Sequence, residues 1–252
     1  MFVVEKNDDI EILRMQYGPA NAMDLNFCVA LIKKVRELAA SPSRALVLTG
    51  QGKIFSAGVD LPQLLAGGTD YVRKFLPALD ELLETLFFCN KPIVTAVNGH
   101  AIAGGCLISC CADQRLMATG KGQIGVPELR VGVPFPAVAL EIMRARTRPD
   151  FVSEVIIGGA TYAPADALQR GLIDAIVDPR QLLDEAVSVA KGFAALRPEL
   201  FAFTKQQLRQ PVREAIAVCS KAQAAELYAI WESVDTHAAV SAFVARTLKK
   251  PQ

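Results

Sequence analysis

Two uninterrupted apolar runs, ALVLTG at 45–50 and PIVTAV at 92–97, do most to limit the folds open to this chain. A strand with one face in water alternates apolar and polar residues, so such runs belong to strands covered on both faces, as parallel strands are. Between them Val72, Phe75, Leu76, Leu79, Leu82, Leu83 and Leu86 recur at helical spacing, which predicts a long amphipathic crossover helix. Asp70, Asp80 and Glu84, in or beside that helix, are expected on its wet face. Strand, helix, strand in this order predicts an α/β fold.

The remaining pattern fits that core. VVEK and IEILRM flank a turn at Asn7-Asp8-Asp9 and read as a hairpin, and Asp24 caps a helix with Cys28, Leu31, Ile32, Val35 and Leu38 on one face. QRLMATGKGQIGV reads as a strand and hairpin, and LIDAIV, after a helix stop at Gly171, as the last clear strand. From PRQLLDEA onward the pattern is helical, with breaks expected at Pro198 and Pro211.

Bulk properties exclude several classes of partner. In 252 residues, 27 basic and 26 acidic side chains leave a net charge of +1, so no electrostatic bias toward nucleic acid or a membrane surface exists. The start lacks a signal-peptide pattern, no uncharged apolar stretch approaches the ~18 residues of a membrane span, and LKKPQ is no peroxisomal address. A cytoplasmic protein is expected. Six cysteines without regular spacing point to a reducing compartment.

Three of those cysteines fall in AIAGGCLISCCADQ, residues 101–114. Cys106 and Cys110 share a helix face, but zinc needs further ligands, and His100 and His237 are too scattered to supply them. No metal is expected, and the cysteines read as packing. Gly99 and Gly104 have the glycine offset of a phosphate loop, but Gly105-Cys106 stands where lysine and a hydroxyl residue are required. What remains is a glycine pair opening a helix, whose first N–H groups lack intrahelical partners and attract negative charge. Close packing is the alternative role for the pair.

A second loop, IFSAGVDLPQLL, has the same form: a turn at Ser56-Ala57-Gly58 after a strand, then Asp60 as N-cap and Pro62 just inside a helix. With FSAGVDL, VNGHAIAGGCLISCCAD and IGVPELRVGVPFP in this order, the chain resembles the crotonase superfamily, the enoyl-CoA hydratase and isomerase fold, over nearly its whole length. The resemblance implies a crotonase-type ββα superhelix over residues 1–190 and a helical C-terminal trimerisation region over 191–252. It implies an acyl-CoA substrate, coenzyme A being part of that substrate and no other cofactor, and a homotrimer or hexamer. It also implies an oxyanion hole formed by the N–H groups of Val59 and Gly104. Ser56, Ala57, Gly58, Asp60, Leu61, Gly105, Leu107, Pro127 and Phe135 are the implied substrate contacts.

Family hydratases use two glutamates. One matches Glu128 in GVPELRVG, and the other falls at Leu107, which cannot move a proton. Set among Val126, Pro127 and Leu129, a pocket-facing Glu128 is expected to have a raised pKa suited to a base. One carboxylate is enough to carry a proton from C2 to C4 of a 3-enoyl-CoA, so the resemblance points to an isomerase of the Δ3,Δ2-enoyl-CoA type. Hydratase, hydrolase, decarboxylase, a non-catalytic acyl-CoA-binding protein and an RNA-binding relative remain as alternatives. Asp113 and Asp60 are read as helix caps, and His100 as a local hydrogen-bonding residue or a substrate contact. Lys249 and Lys250 lie near where family members meet coenzyme A phosphates, but the match there is poor.

Overall fold

The computed structural model describes residues 2–248, so Lys249 and Lys250 lie outside the described residues. β1 (Phe2–Asn7) and β2 (Ile10–Met15) form the expected hairpin, and α1 (Leu25–Ala40) starts at Asp24, whose carboxylate accepts from Phe27 N–H. β3 (Ala45–Thr49), β4 (Ile54–Ser56), α2 (Leu61–Phe87), β5 (Ile93–Val97), β6 (His100–Ile102) and α3 (Gly104–Cys110) follow. Next come β7 (Gln114–Ala118), β8 (Ile124–Gly125), α4 (Glu128–Val131), α5 (Ala137–Arg146), α6 (Val152–Gly158), β9 (Thr161–Tyr162), α7 (Pro164–Arg170) and β10 (Ala175–Val177). α8 (Leu182–Ala194), α9 (Pro198–Trp231) and α10 (Val234–Leu248) complete the chain.

The larger sheet runs β1-β2-β3-β5-β7-β10 and is parallel except for the β1–β2 hairpin. Every residue of β3 and β5 is buried because both faces are covered. Leu182, Ala186, Val187 and Ala190 of α8 pack against Ile12, Val47, Val94 and Leu116 on one side. Leu31 and Val35 of α1 and Leu79 and Leu83 of α2 lie with Leu13, Leu46 and Leu48 in the main core on the other. A smaller sheet runs β4-β6-β8-β9, with β4, β6 and β8 parallel.

Several expectations are corrected. QRLMATGKGQIGV is no hairpin: β7 pairs with β5 and β10, and β8 with β6 and β9, because the segment crosses from one sheet to the other. Pro198 begins α9 and does not break it, and Pro211 lies inside α9. The carbonyl it leaves without an N–H belongs to Gln207, an exposed residue, so water can satisfy it. The boundary at 190/191 falls within α8, which ends at Ala194. Asp113 is no cap: its carboxylate accepts from Ile93 N–H at 2.8 Å and holds Lys205 and Arg209 at 2.6 and 2.7 Å, tying α9 to the sheet. Asp80 is half-buried and has left the wet face, whereas Asp70 is exposed.

The small sheet is what brings the two glycine-bearing loops together. β4 and β6 are hydrogen-bonded neighbours, with Ile54 opposite His100 and Ser56 opposite Ala101, so the segments that follow them emerge side by side. His100 helps to hold this edge, its Nδ1 accepting from Gln123 N–H at 3.3 Å.

Candidate active site

Val59 follows Gly58, whose φ of +83° only glycine adopts without strain. Met23 forms a parallel bridge across Val59: its N–H donates to Gly58 O at 2.8 Å and its carbonyl accepts from Asp60 N–H at 3.0 Å. That pattern turns the Val59 N–H away from Met23, and among the described residues it finds no acceptor. Gly104 N–H, the first of α3, has none either. Ala103 before it holds φ 51° and ψ −122°, a left-handed setting that costs an alanine about 1–2 kcal/mol. Its N–H is fixed to Gly125 O at 2.8 Å, so the strained turn that aims Gly104 is anchored to β8.

Close packing accompanies the two N–H groups left without acceptors. A Cβ on Gly58 would sit 2.6 Å from Ile102 O and 3.1 Å from Gly104 N, and one on Gly105 would sit 2.4 Å from Ser56 O. Ser56 Oγ donates to Asn21 O at 2.8 Å and accepts from Gly58 N–H at 3.2 Å, and Asp60 caps α2 through Gln63 N–H. Ser56, Gly58, Asp60 and Gly105 thus frame the two loops. Ala57, Val59, Leu61, Gly104, Leu107, Pro127, Glu128 and Phe135 line one apolar cavity.

Glu128 opens the short α4, is 9 % exposed, and leaves Oε2 buried without a partner. Burial raises its carboxyl from the usual range to about 8, opposed only by a bond to its own backbone N–H. Val131, Val133, Ala139 and Leu107 line the same cavity, and Glu128 is the one titratable side chain among the described residues on its wall. Trp231 of α9 and Phe243 of α10 close the far side, and Trp231 Nε1 is likewise buried and unpaired. Neither aromatic residue was foreseen. The only tryptophan of the chain was the available signal, but no periodicity connects residue 231 to residue 128. Cys106, Cys110 and Cys111 are buried free thiols, packed as expected.

The family model described as enoyl-CoA hydratase/isomerase matches residues 5–250. The chain belongs to that family. This enoyl-CoA hydratase/isomerase family member is an acyl-CoA-acting enzyme. It is 31% identical to a putative enoyl-CoA hydratase of Thermus thermophilus over 82% of this chain and 83% of the relative. It is 26% identical to human mitochondrial enoyl-CoA delta isomerase 1 over 80% of this chain and 68% of that protein. The crystal structure of human mitochondrial delta3-delta2-enoyl-CoA isomerase superposes with a TM-score of 0.94 at 22% identity, covering 100% and 99% of the two chains, a likeness of fold. The α/β architecture with a helical C-terminal region agrees with the crotonase superhelix expected from the motifs.

Proposed function

We propose that this family member is an enoyl-CoA isomerase in which Val59 and Gly104 N–H hold the thioester oxygen and Glu128 is the sole acid and base. The observation that carries the reading is a single buried carboxyl on an otherwise apolar wall, with Leu107 where a second acid would be needed for hydration. In a trans-3-enoyl-CoA, the Glu128 carboxylate takes a proton from C2, and the electron pair moves onto the thioester oxygen as an enolate. Two preorganised N–H donors stabilise that charge. Glu128 then returns the proton to C4, leaving the double bond between C2 and C3, with nothing gained or lost overall.

Purified protein should convert trans-3-enoyl-CoA to trans-2-enoyl-CoA without requiring a second carboxylate. Hydration of trans-2-enoyl-CoA without isomerisation would refute the reading. Because the active form is the carboxylate, kcat/KM should rise about tenfold per pH unit below pH ~8 and level off above it. A profile already flat from pH 6 would show that the Glu128 carboxyl titrates in its ordinary range and is not raised by burial. Leu107→Glu should introduce measurable hydration of trans-2-enoyl-CoA by supplying the second carboxyl, and its absence would mean that the apolar wall excludes the water. The exposed Leu200, Phe203 and Leu208 on α9 support the homotrimer or hexamer as the working assembly.

A further inference from the structure

A second cavity of about 200 Å³ adjoins the first, between α2, the start of α5 and α9, lined by Leu76, Pro77, Asp80, Ala137, Leu227 and Tyr228 among others. Phe135 belongs to both cavities. The consecutive pairs Leu79/Asp80 and Pro136/Ala137 each give one residue to either side, and α9 gives Trp231 to the first and Tyr228 to the second. The first cavity is about 80 Å³, well below the ~300–1,000 Å³ usual for a ligand cleft, so a long acyl chain needs room beyond it. Phe135 is the wall that this space shares with the second one.

Asp80 makes this second space chemically specific. Its carboxyl makes no hydrogen bond among the described residues, Oδ1 being shut away from solvent, on a lining that also carries Tyr228, Ser220 and Gln223. A buried oxygen left unpaired is costly to folding, so the carboxyl calls for a role other than stability. Resting on the acyl-CoA reading above, we propose that the cavity beside Asp80 receives the far end of the acyl chain and selects chains bearing a hydroxyl there.

The choice of a hydroxyl follows from charge. Burial, with Glu84 adding to it, raises the Asp80 carboxyl to about 7, so both forms are populated near neutral pH. A hydroxyl donates to the carboxylate and pairs equally with the neutral acid. A terminal carboxylate is repelled by the ionised form, and a terminal methyl leaves the carboxyl unpaired. Ser220 and Gln223, also on the lining, add polar groups toward the solvent side.

The test is calorimetric binding of saturated acyl-CoA thioesters, unsubstituted or with a terminal hydroxyl, over a series of chain lengths, to the full chain and to Asp80→Leu and Asp80→Asn. Wild type should bind the hydroxylated thioester about tenfold or more tightly than its plain counterpart at the lengths that reach Asp80. The preference should vanish in Asp80→Leu and survive in part in Asp80→Asn, whose amide still pairs. Binding of the plain thioester by Asp80→Leu shows that this variant is folded. Equal affinities in wild type at every length, or a preference that persists in Asp80→Leu, overturns the subsite while leaving the acyl-CoA reading standing. Binding of neither thioester by wild type overturns both.

Discussion

Glu128→Gln should lower the turnover of trans-3-enoyl-CoA by about 10³-fold, within the range a general acid/base contributes, while thioester affinity changes by no more than a few-fold. The amide fills the same volume but cannot exchange the proton, and the oxyanion donors are backbone and remain. The same substitution should raise thermal stability at alkaline pH. A carboxyl held near 8 in the folded chain and in its ordinary range in the unfolded one costs folding free energy as pH rises from the unfolded to the folded value. At pH 9 that cost is on the order of 4 kcal/mol, so the glutamine variant should melt several degrees higher there, with the gap closing toward pH 4. A variant of undiminished turnover would remove Glu128 from the mechanism, and a gap independent of pH would show that its carboxyl is not raised by burial.

Gly58→Ala should cost about 10²–10³-fold in kcat, the loss typical of a missing oxyanion donor. A methyl group at that position meets Ile102 O at 2.6 Å and Ala103 Cβ at 2.8 Å, so the loops carrying Val59 and Gly104 must separate. Gly52 provides the control. It has φ +63° with nothing within 4 Å of an added Cβ, so Gly52→Ala carries comparable backbone strain without touching either loop. Both variants should melt lower than wild type, and only Gly58→Ala should lose rate. Equal rate losses would mean that strain alone, and not donor placement, is responsible.

The fold was legible wherever one physical cause dominated. β3 and β5 announced themselves because each is covered on two faces, and α1 and α2 because one stripe of each enters the core. β4, β6, β8 and β9 carry only two or three residues each, too few for any periodicity, although their pairing is what assembles the site. Pro211 misled because a proline's cost depends on whether the carbonyl it orphans reaches water, which is a tertiary fact. Asp113 and Asp80 misled for a related reason. Their partners, or lack of them, are set by α9, about a hundred residues or more further along the chain.

At the candidate site, Val59, Gly104, Leu107 and Glu128 could be placed because their motifs are local and ordered. Burial of Glu128 followed from its apolar neighbours, and the structure shows it. Trp231 and Phe243 were invisible because their proximity to Glu128 comes from the packing of two late helices, α9 and α10.

That late contribution divides labour along the chain. The groups assigned to chemistry all fall between residues 57 and 128, on loops braced by the small sheet, whereas Trp231 and Phe243 enclose the space where an acyl chain would lie. Substitutions at Trp231 and Phe243 would therefore be expected to act on the cavity wall and not on the strained turn at Ala103. For a designer, two side chains of the C-terminal helices, at 231 and 243, offer a place to reshape the cavity apart from the loops that carry the N–H donors.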